Sequence, residues 1–219
     1  MIHLVMFDID GTLVDSMRVD SHLYARAVRE TLGGDVYIDE TWRPYAHVTD
    51  SGILDEILVQ QRFPEPLDAL RAEVKRCFVE LMRAHLDSGT RVVSEIRGAT
   101  ALLQELRGRP DVRLAIATGG WAETALMKLA AIGVSVDGVG FASSSDAHAR
   151  TKIMELAAER ALRGAVPATR TYLGDGAWDQ RASADLGYRF IAIGRALEHE
   201  PRFDDYGDRD AVLACLLRH

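Results

Sequence analysis

Apolar positions along the chain follow two rhythms. Ile2 to Phe7 is a continuous apolar run broken only by His3, the pattern of a buried strand, and it stops at the turn sequence Asp8-Ile9-Asp10-Gly11-Thr12. Helical spacing takes over from Met17 to Leu32 and ends at Gly33-Gly34. Two more helices are expected, over about Asp50 to Gln61 and from Leu67 to Leu86, the second with Cys77, Leu81 and Met82 on one face. No strand is expected between Asp15 and Gly89, so this block reads as an all-helical unit. After Gly98 the pattern alternates: helix Ala99 to Leu106, strand Val112 to Ala117, helix Ala122 to Ala131, strand Val139 to Ala142, helix Thr151 to Leu162, strand Thr171 to Leu173, helix Trp178 to Leu186, strand Arg189 to Ile193, and a final helix from Gly207 to His219. Short apolar strands alternating with helices predict βαβ units and an α/β fold: a Rossmann-like parallel sheet with helices on both faces, which the first strand joins. The helical block then becomes an insertion after that strand.

Composition narrows the class. With 219 residues, 47% hydrophobic and 27% charged, the chain is globular and long enough to bury a core without staples. The 26 Lys and Arg against 33 Asp and Glu give a net charge of −7, which argues against non-specific binding to nucleic acid or to a membrane surface. Two distant cysteines, Cys77 and Cys215, do not make a disulfide scaffold or a structural zinc site. Apolar stretches fall short of the roughly 20 residues that span a bilayer. Met1 to Phe7 has no basic region or cleavage site, so no signal peptide is expected and a cytoplasmic location is.

In open α/β sheets, ligands bind beyond the carboxyl ends of the strands. The residues that follow the expected strands are Asp8, Asp10 and Thr12; Thr118, Gly119 and Gly120; Ser143, Ser144, Ser145 and Asp146; and Gly174, Asp175, Gly176 and Asp179. Carboxylates gathered at one edge repel one another, and a hard divalent cation such as Mg²⁺ relieves that repulsion. The Thr118 hydroxyl and the amides near Gly11 and Gly119 are candidates to receive phosphate oxygens. An ammonium would complete the neutralisation. Only three of the 26 basic residues are lysines. Lys152 stands at the start of the helix after the third strand and is the candidate; Lys75 falls in the helical block, and Lys128, well into its helix, is expected to face solvent.

The segment Phe7-Asp8-Ile9-Asp10-Gly11-Thr12-Leu13-Val14-Asp15-Ser16 resembles the first motif of the haloacid dehalogenase superfamily. It is most similar to the phosphoglycolate-phosphatase-like group, which carries a helical cap after the first strand. Ala115-Ile116-Ala117-Thr118 resembles the second motif, Lys152 the third, and Gly174-Asp175-Gly176-Ala177-Trp178-Asp179 the fourth. The resemblance implies a Rossmann-like core over residues 1–15 and 91–219 and a cap over 16–90. It implies that Asp8 attacks phosphorus to form an aspartyl-phosphate, that Asp10 acts as acid and then base, and that Thr118 and Lys152 hold the phosphoryl group. Gly11, Thr12 and Gly119 would assist in phosphate binding. Mg²⁺ would be held by Asp8, Asp10 through its carbonyl, and Asp175, with Asp179 as ligand or support.

Departures from the group's pattern are Gly119, where relatives often carry Asn or Ser, and Ile153, where they often carry Pro. In the helical block, Arg43, Tyr45 and His47 are candidates for either substrate contact or loop packing. Trp121 and Trp178 could pack under the site loops or wall the pocket. The expected activity is hydrolysis of a small phosphorylated metabolite. The alternatives are a hexose-phosphate mutase, which usually has Val or Ile where this chain has Thr12, and a non-catalytic protein that keeps the fold.

Overall fold

The computed structural model describes residues 1–89 and 93–217. Among these, the elements run β1 (His3–Phe7), β2 (Val14–Asp15), α1 (Met17–Leu32), α2 (Asp50–Gln60), α3 (Asp68–Asp87), β3 (Ser94–Glu95), α4 (Ala99–Arg107), β4 (Val112–Ala117), α5 (Ala122–Ala131), β5 (Gly140–Ala142), α6 (Arg150–Leu162), β6 (Thr169–Gly174), α7 (Ala177–Asp185), β7 (Arg189–Ile193), β8 (Arg202–Phe203) and α8 (Arg209–Leu216). The main sheet has the order β5-β4-β1-β6-β7-β8 with every pairing parallel. The chain builds outward from β1 to β5 and then crosses back to start again at β6. The crevice between β1 and β6 is therefore the topological switch point, where such sheets bind ligands.

Alternation along β1 divides the core. Val5 and Phe7 face one layer with Leu102 and Leu106 of α4 and Val212 and Leu216 of α8. Leu4 and Met6 face the other, with Ile153, Met154 and Ala157 of α6. All five residues of β1 are buried, which is why the strand reads as an apolar run rather than an alternating one. His3 fits because its ring Nδ1 pairs with the Thr169 hydroxyl at 2.8 Å.

Helices α1, α2 and α3 form a separate layer with its own apolar cluster, in which Leu23, Tyr24, Val28, Leu54, Leu58, Val74, Phe78 and Met82 are buried. Trp121, at the start of α5, is buried in this cluster and touches Tyr24 and Phe78, so it is a packing residue that joins the two layers. The chain enters the helical layer beside the two-stranded antiparallel ladder of β2 and β3, where Val14 pairs with Glu95 and Asp15 with Ser94. The sequence pattern shows neither this ladder nor β8, because two-residue strands carry no periodicity. The expected boundary at residues 90 and 91, and the last two residues of the expected C-terminal helix, lie outside the described residues. No described helix is long and apolar enough to cross a membrane.

Phe78 is fully buried and packs edge-on to Tyr24, with ring centroids 5.6 Å apart. Phe78→Ala is expected to destabilise the fold by about 3–5 kcal/mol through lost burial and a residual cavity. Denaturant unfolding monitored by circular dichroism reads this directly; a loss below about 1 kcal/mol would mean that the helical layer does not unfold cooperatively with the sheet.

Candidate functional site

The site begins with a tight turn after β1. The carbonyl of Ile9 accepts the amides of Thr12, Leu13 and Val14, and Gly11 N–H donates to the Val14 carbonyl at 2.8 Å. Gly11 has φ +75°, and a Cβ there would lie 2.2 Å from Oδ2 of Asp175, so the position admits only glycine. The amides of Gly11 and Thr12 are thus spent inside the turn, and the buried Thr12 hydroxyl does not line the cleft. The amides of Gly11 and Thr12, expected to meet phosphate, are engaged in shaping the turn. By contrast Asp8, Asp10, Thr118, Gly119 and Gly120 all line a cleft between the sheet edge and the helical layer.

Two groups of charges converge there. In the first, Asp8, Asp175 and Asp179 each offer a carboxylate oxygen, all within 4.8 Å of one another. Their cation is Arg150, the first residue of α6. Its Nη1 lies 3.0 Å from Asp8 Oδ1 and 3.4 Å from Asp179 Oδ1. Asp179 is further held by the Gly176 amide at 3.1 Å and the Tyr172 hydroxyl at 3.2 Å. Asp175 Oδ1 is buried with no hydrogen-bond partner among the described residues. Burial, with the added charge of Asp179, pushes Asp8 up to about 8 and Asp175 up to about 9. One guanidinium for three carboxylates, with an orphaned buried oxygen among them, is an oxygen donor set that fits a divalent cation.

The second group is built around Lys128 of α5. This side chain, expected to face solvent, is fully buried: its Nζ lies 2.6 Å from both oxygens of Asp10 and also bonds Asp20 of α1. Ser16 donates its hydroxyl to Asp10. Burial and the nearby Asp10 charge raise Asp20 to about 6. Asp50, at the start of α2, accepts the Trp121 amide at 2.8 Å, and burial pushes its carboxyl well up. A signal for Lys128 exists in the sequence: Thr124, Ala125, Lys128 and Leu129 form the inward stripe of α5, with the lysine at a core position. With both Asp10 oxygens committed to Lys128, the Asp10 side chain stands apart from the three-carboxylate group.

Lys152 is not brought to the site. Its ammonium pairs with Glu155 at 3.1 Å on the surface, with 58% of the side chain exposed. Residues 150 and 152 are two positions apart on one helix, so their side chains diverge by about 200°. Only one of the two can face the strand ends, and it is the arginine. The cation at the start of α6 is a guanidinium rather than the expected ammonium. Thr118 is buried, and its hydroxyl accepts the Gly120 amide at 3.1 Å. His47 is exposed and outside the cleft, whereas its neighbours Val48, Thr49 and Asp50 line it, as do Tyr24, Trp42 and Trp178. The cavity is small, about 70 Å³.

The raised carboxyls carry a pH signature in the cation-free protein. Between the ordinary value of 3.8 and the native values near 8 and 9, folded Asp8 and Asp175 keep protons that the unfolded chain has lost. The native state therefore binds more protons, and stability falls as pH rises through that window. With chelator present, the melting temperature is expected to decline from pH 5 to pH 9, and added Mg²⁺ should raise it most at the alkaline end. A level or rising profile in chelator would contradict the crowding of uncompensated charge.

Comparisons with known proteins agree with the geometry. No curated protein matches the chain. Among solved structures, it is similar to CbbY from Rhodobacter sphaeroides in complex with phosphate, with TM-score 0.70 and 23% identity over 95% of this chain and 96% of that one. A putative β-phosphoglucomutase from Bacteroides vulgatus aligns with TM-score 0.71 and 14% identity over 100% and 91%. A hydrolase from Pseudomonas syringae aligns with TM-score 0.69 and 17% identity over 90% and 87%. At these identities the likeness is one of fold. The family model of the haloacid dehalogenase-like hydrolases matches residues 5–193, nearly the whole core together with the site turns, and the chain belongs to that family.

Proposed function

We propose that this chain is a Mg²⁺-dependent phosphomonoesterase that acts on a small phosphorylated metabolite through an aspartyl-phosphate on Asp8. The observation that carries the reading is the placement of Asp8: buried at the end of β1, facing the cleft, 3.0 Å from a guanidinium and grouped with two further carboxylates. An Asp8 oxygen attacks phosphorus as the ester P–O bond breaks, and Asp10 delivers a proton to the departing oxygen. Asp10 then takes a proton from the water that attacks the aspartyl-phosphate, releasing inorganic phosphate and restoring Asp8. Arg150, Thr118 and Gly119 hold the phosphoryl oxygens. Mg²⁺, held by Asp8, Asp175, Asp179 and the Asp10 carbonyl, would neutralise phosphoryl charge and keep Asp8 ionised.

Residues 16–90 serve as a lid in this reading. Hydrogen bonds tie them to the sheet edge, among them Asp50 N–H to the Gly119 carbonyl at 2.8 Å, the Trp121 amide to the Asp50 carboxylate at 2.8 Å, the Thr49 hydroxyl to the His148 carbonyl at 2.8 Å, and the Ser51 hydroxyl to the Ser144 carbonyl at 2.8 Å. With the cavity as small as it is, substrate entry requires these contacts to open. The second reading, a mutase that moves phosphate within a hexose phosphate, shares the aspartyl-phosphate step. Release of inorganic phosphate separates the two.

With an activated aryl phosphate, turnover is expected to need Mg²⁺ and to stop in excess chelator, and Asp8→Asn should abolish both turnover and the covalent intermediate. Activity in Asp8→Asn would end the proposed mechanism. The two basic residues of α6 give a sharper comparison. Arg150→Ala should lower kcat/KM by roughly 10²-fold or more, since it removes the charge that faces the phosphoryl group. Lys152→Ala should stay within about twofold of the parent, as expected for an exposed surface ion pair.

A further inference from the structure

The orientation of the Asp10 carboxylate is set from outside its own turn. Lys128 Nζ lies 2.6 Å from both of its oxygens. Rotation of the carboxylate about its Cβ–Cγ bond would lengthen one of these two bonds, so the ammonium opposes it. The Ser16 hydroxyl adds a further donor on Oδ1 at 2.5 Å. Lys128 is in turn held in place. It is fully buried on the inward stripe of α5, and its ammonium also bonds Asp20 of α1.

These donors are shared unevenly between the two oxygens. A carboxylate offers about four acceptor positions, two on each oxygen. Oδ1 of Asp10 takes two donors, Ser16 and Lys128, whereas among the described residues Oδ2 takes Lys128 alone. The open acceptor position is therefore on Oδ2. That oxygen lies 3.8 Å from the point a Cβ on Gly120 would occupy, and the Thr118 hydroxyl oxygen lies 3.6 Å from the same point. Asp10, Thr118 and Gly120 all line the cleft, and Lys128 does not.

We propose that Lys128, aided by Ser16, is the positioning residue of Asp10 and fixes its carboxylate so that Oδ2 takes the proton of the hydrolytic water. In that step the water oxygen bonds to phosphorus. The bond between phosphorus and the Asp8 oxygen breaks with its electron pair returning to Asp8, and one water proton passes to Asp10 Oδ2. Lys128 acts only through Asp10, from behind the cleft wall. This rests on the aspartyl-phosphate reading and deepens it.

The test uses Lys128→Met combined with Asp20→Asn, which removes one charge of each sign and leaves the net charge of the cluster unchanged. The substrate is an aryl phosphate with Mg²⁺ present, because an aryl leaving group needs no proton. Formation of the phosphoenzyme should then proceed as in the parent while its hydrolysis slows. kcat and KM are expected to fall together by roughly tenfold, with kcat/KM within about twofold of the parent, and hydroxylamine-labile phosphate should accumulate on the protein. A role confined to packing would lower kcat/KM and leave no phosphoenzyme. Should that variant not fold, Ser16→Ala decides, since it removes a single hydroxyl and should show the same split in smaller measure. Unchanged kcat in the folded variant, or an equal loss of kcat and kcat/KM without phosphoenzyme, would overturn this inference and leave the phosphatase reading standing. A parent protein that neither turns over aryl phosphate nor forms a phosphoenzyme would remove both.

Discussion

The structure is organised by the crowding of buried carboxylates at one sheet edge. Asp8, Asp10, Asp20 and Asp50 line one cleft, Asp175 and Asp179 stand beside Asp8, and among the described residues Arg150 and Lys128 are the cations buried with them. Isolated buried charges are expensive, so each cation has to be shared, and each carboxylate has to be placed where a cation, an amide or a hydroxyl reaches it. The tight turn at Gly11 is part of the same requirement, because only a residue without a side chain lets the first-strand turn come close to Asp175.

The two cations divide the labour by their chemistry. A guanidinium is planar and presents several donors, which lets Arg150 bridge Asp8 of β1, Asp179 of α7 and the Val48 carbonyl of the helical layer from one position. An ammonium is compact, and Lys128 uses it to join Asp10 of the turn after β1 to Asp20 of α1. Both cations therefore cross from the sheet layer to the helical layer. Packing the helical layer over the strand ends and bringing these buried charges together are therefore coupled in this arrangement. Trp121 adds an apolar link, with its indole in the helical cluster and its amide on Asp50.

How the strands are arranged explains why the charges sit where they do. Reversal of the strand order between the parallel strands β1 and β6 leaves their carboxyl ends open side by side, and the loops that carry Asp8, Asp10 and Asp175 follow those two strands. β1 itself is fully buried, so the turn that follows it is rigidly based. Rigidity of the base is what allows a tight and charged turn to hold its shape.

The sequence by itself determined the elements whose signal is local. The apolar run of β1, the alternation of strands and helices after Gly98, the helical block between them and the acidic turns at Asp8-Ile9-Asp10 and Gly174-Asp175 were all readable, because periodicity and turn chemistry are properties of neighbouring residues. Tertiary structure alone decided which basic side chains serve the acids. Lys152 and Arg150 are two residues apart on one helix, and only the orientation of α6 against the sheet turns the second inward and leaves the first on the surface. Lys128 looked like a solvent residue because lysine usually is one, yet the packing of α5 puts its position on the buried stripe and three-dimensional proximity supplies Asp10 and Asp20 from 118 and 108 residues away. That the amides of Gly11 and Thr12 are engaged inside the turn is likewise visible only once the turn closes on itself. Composition and spacing register which charges exist; which of them are buried together depends on how helices rotate and dock, and that is set by contacts between residues far apart in the chain.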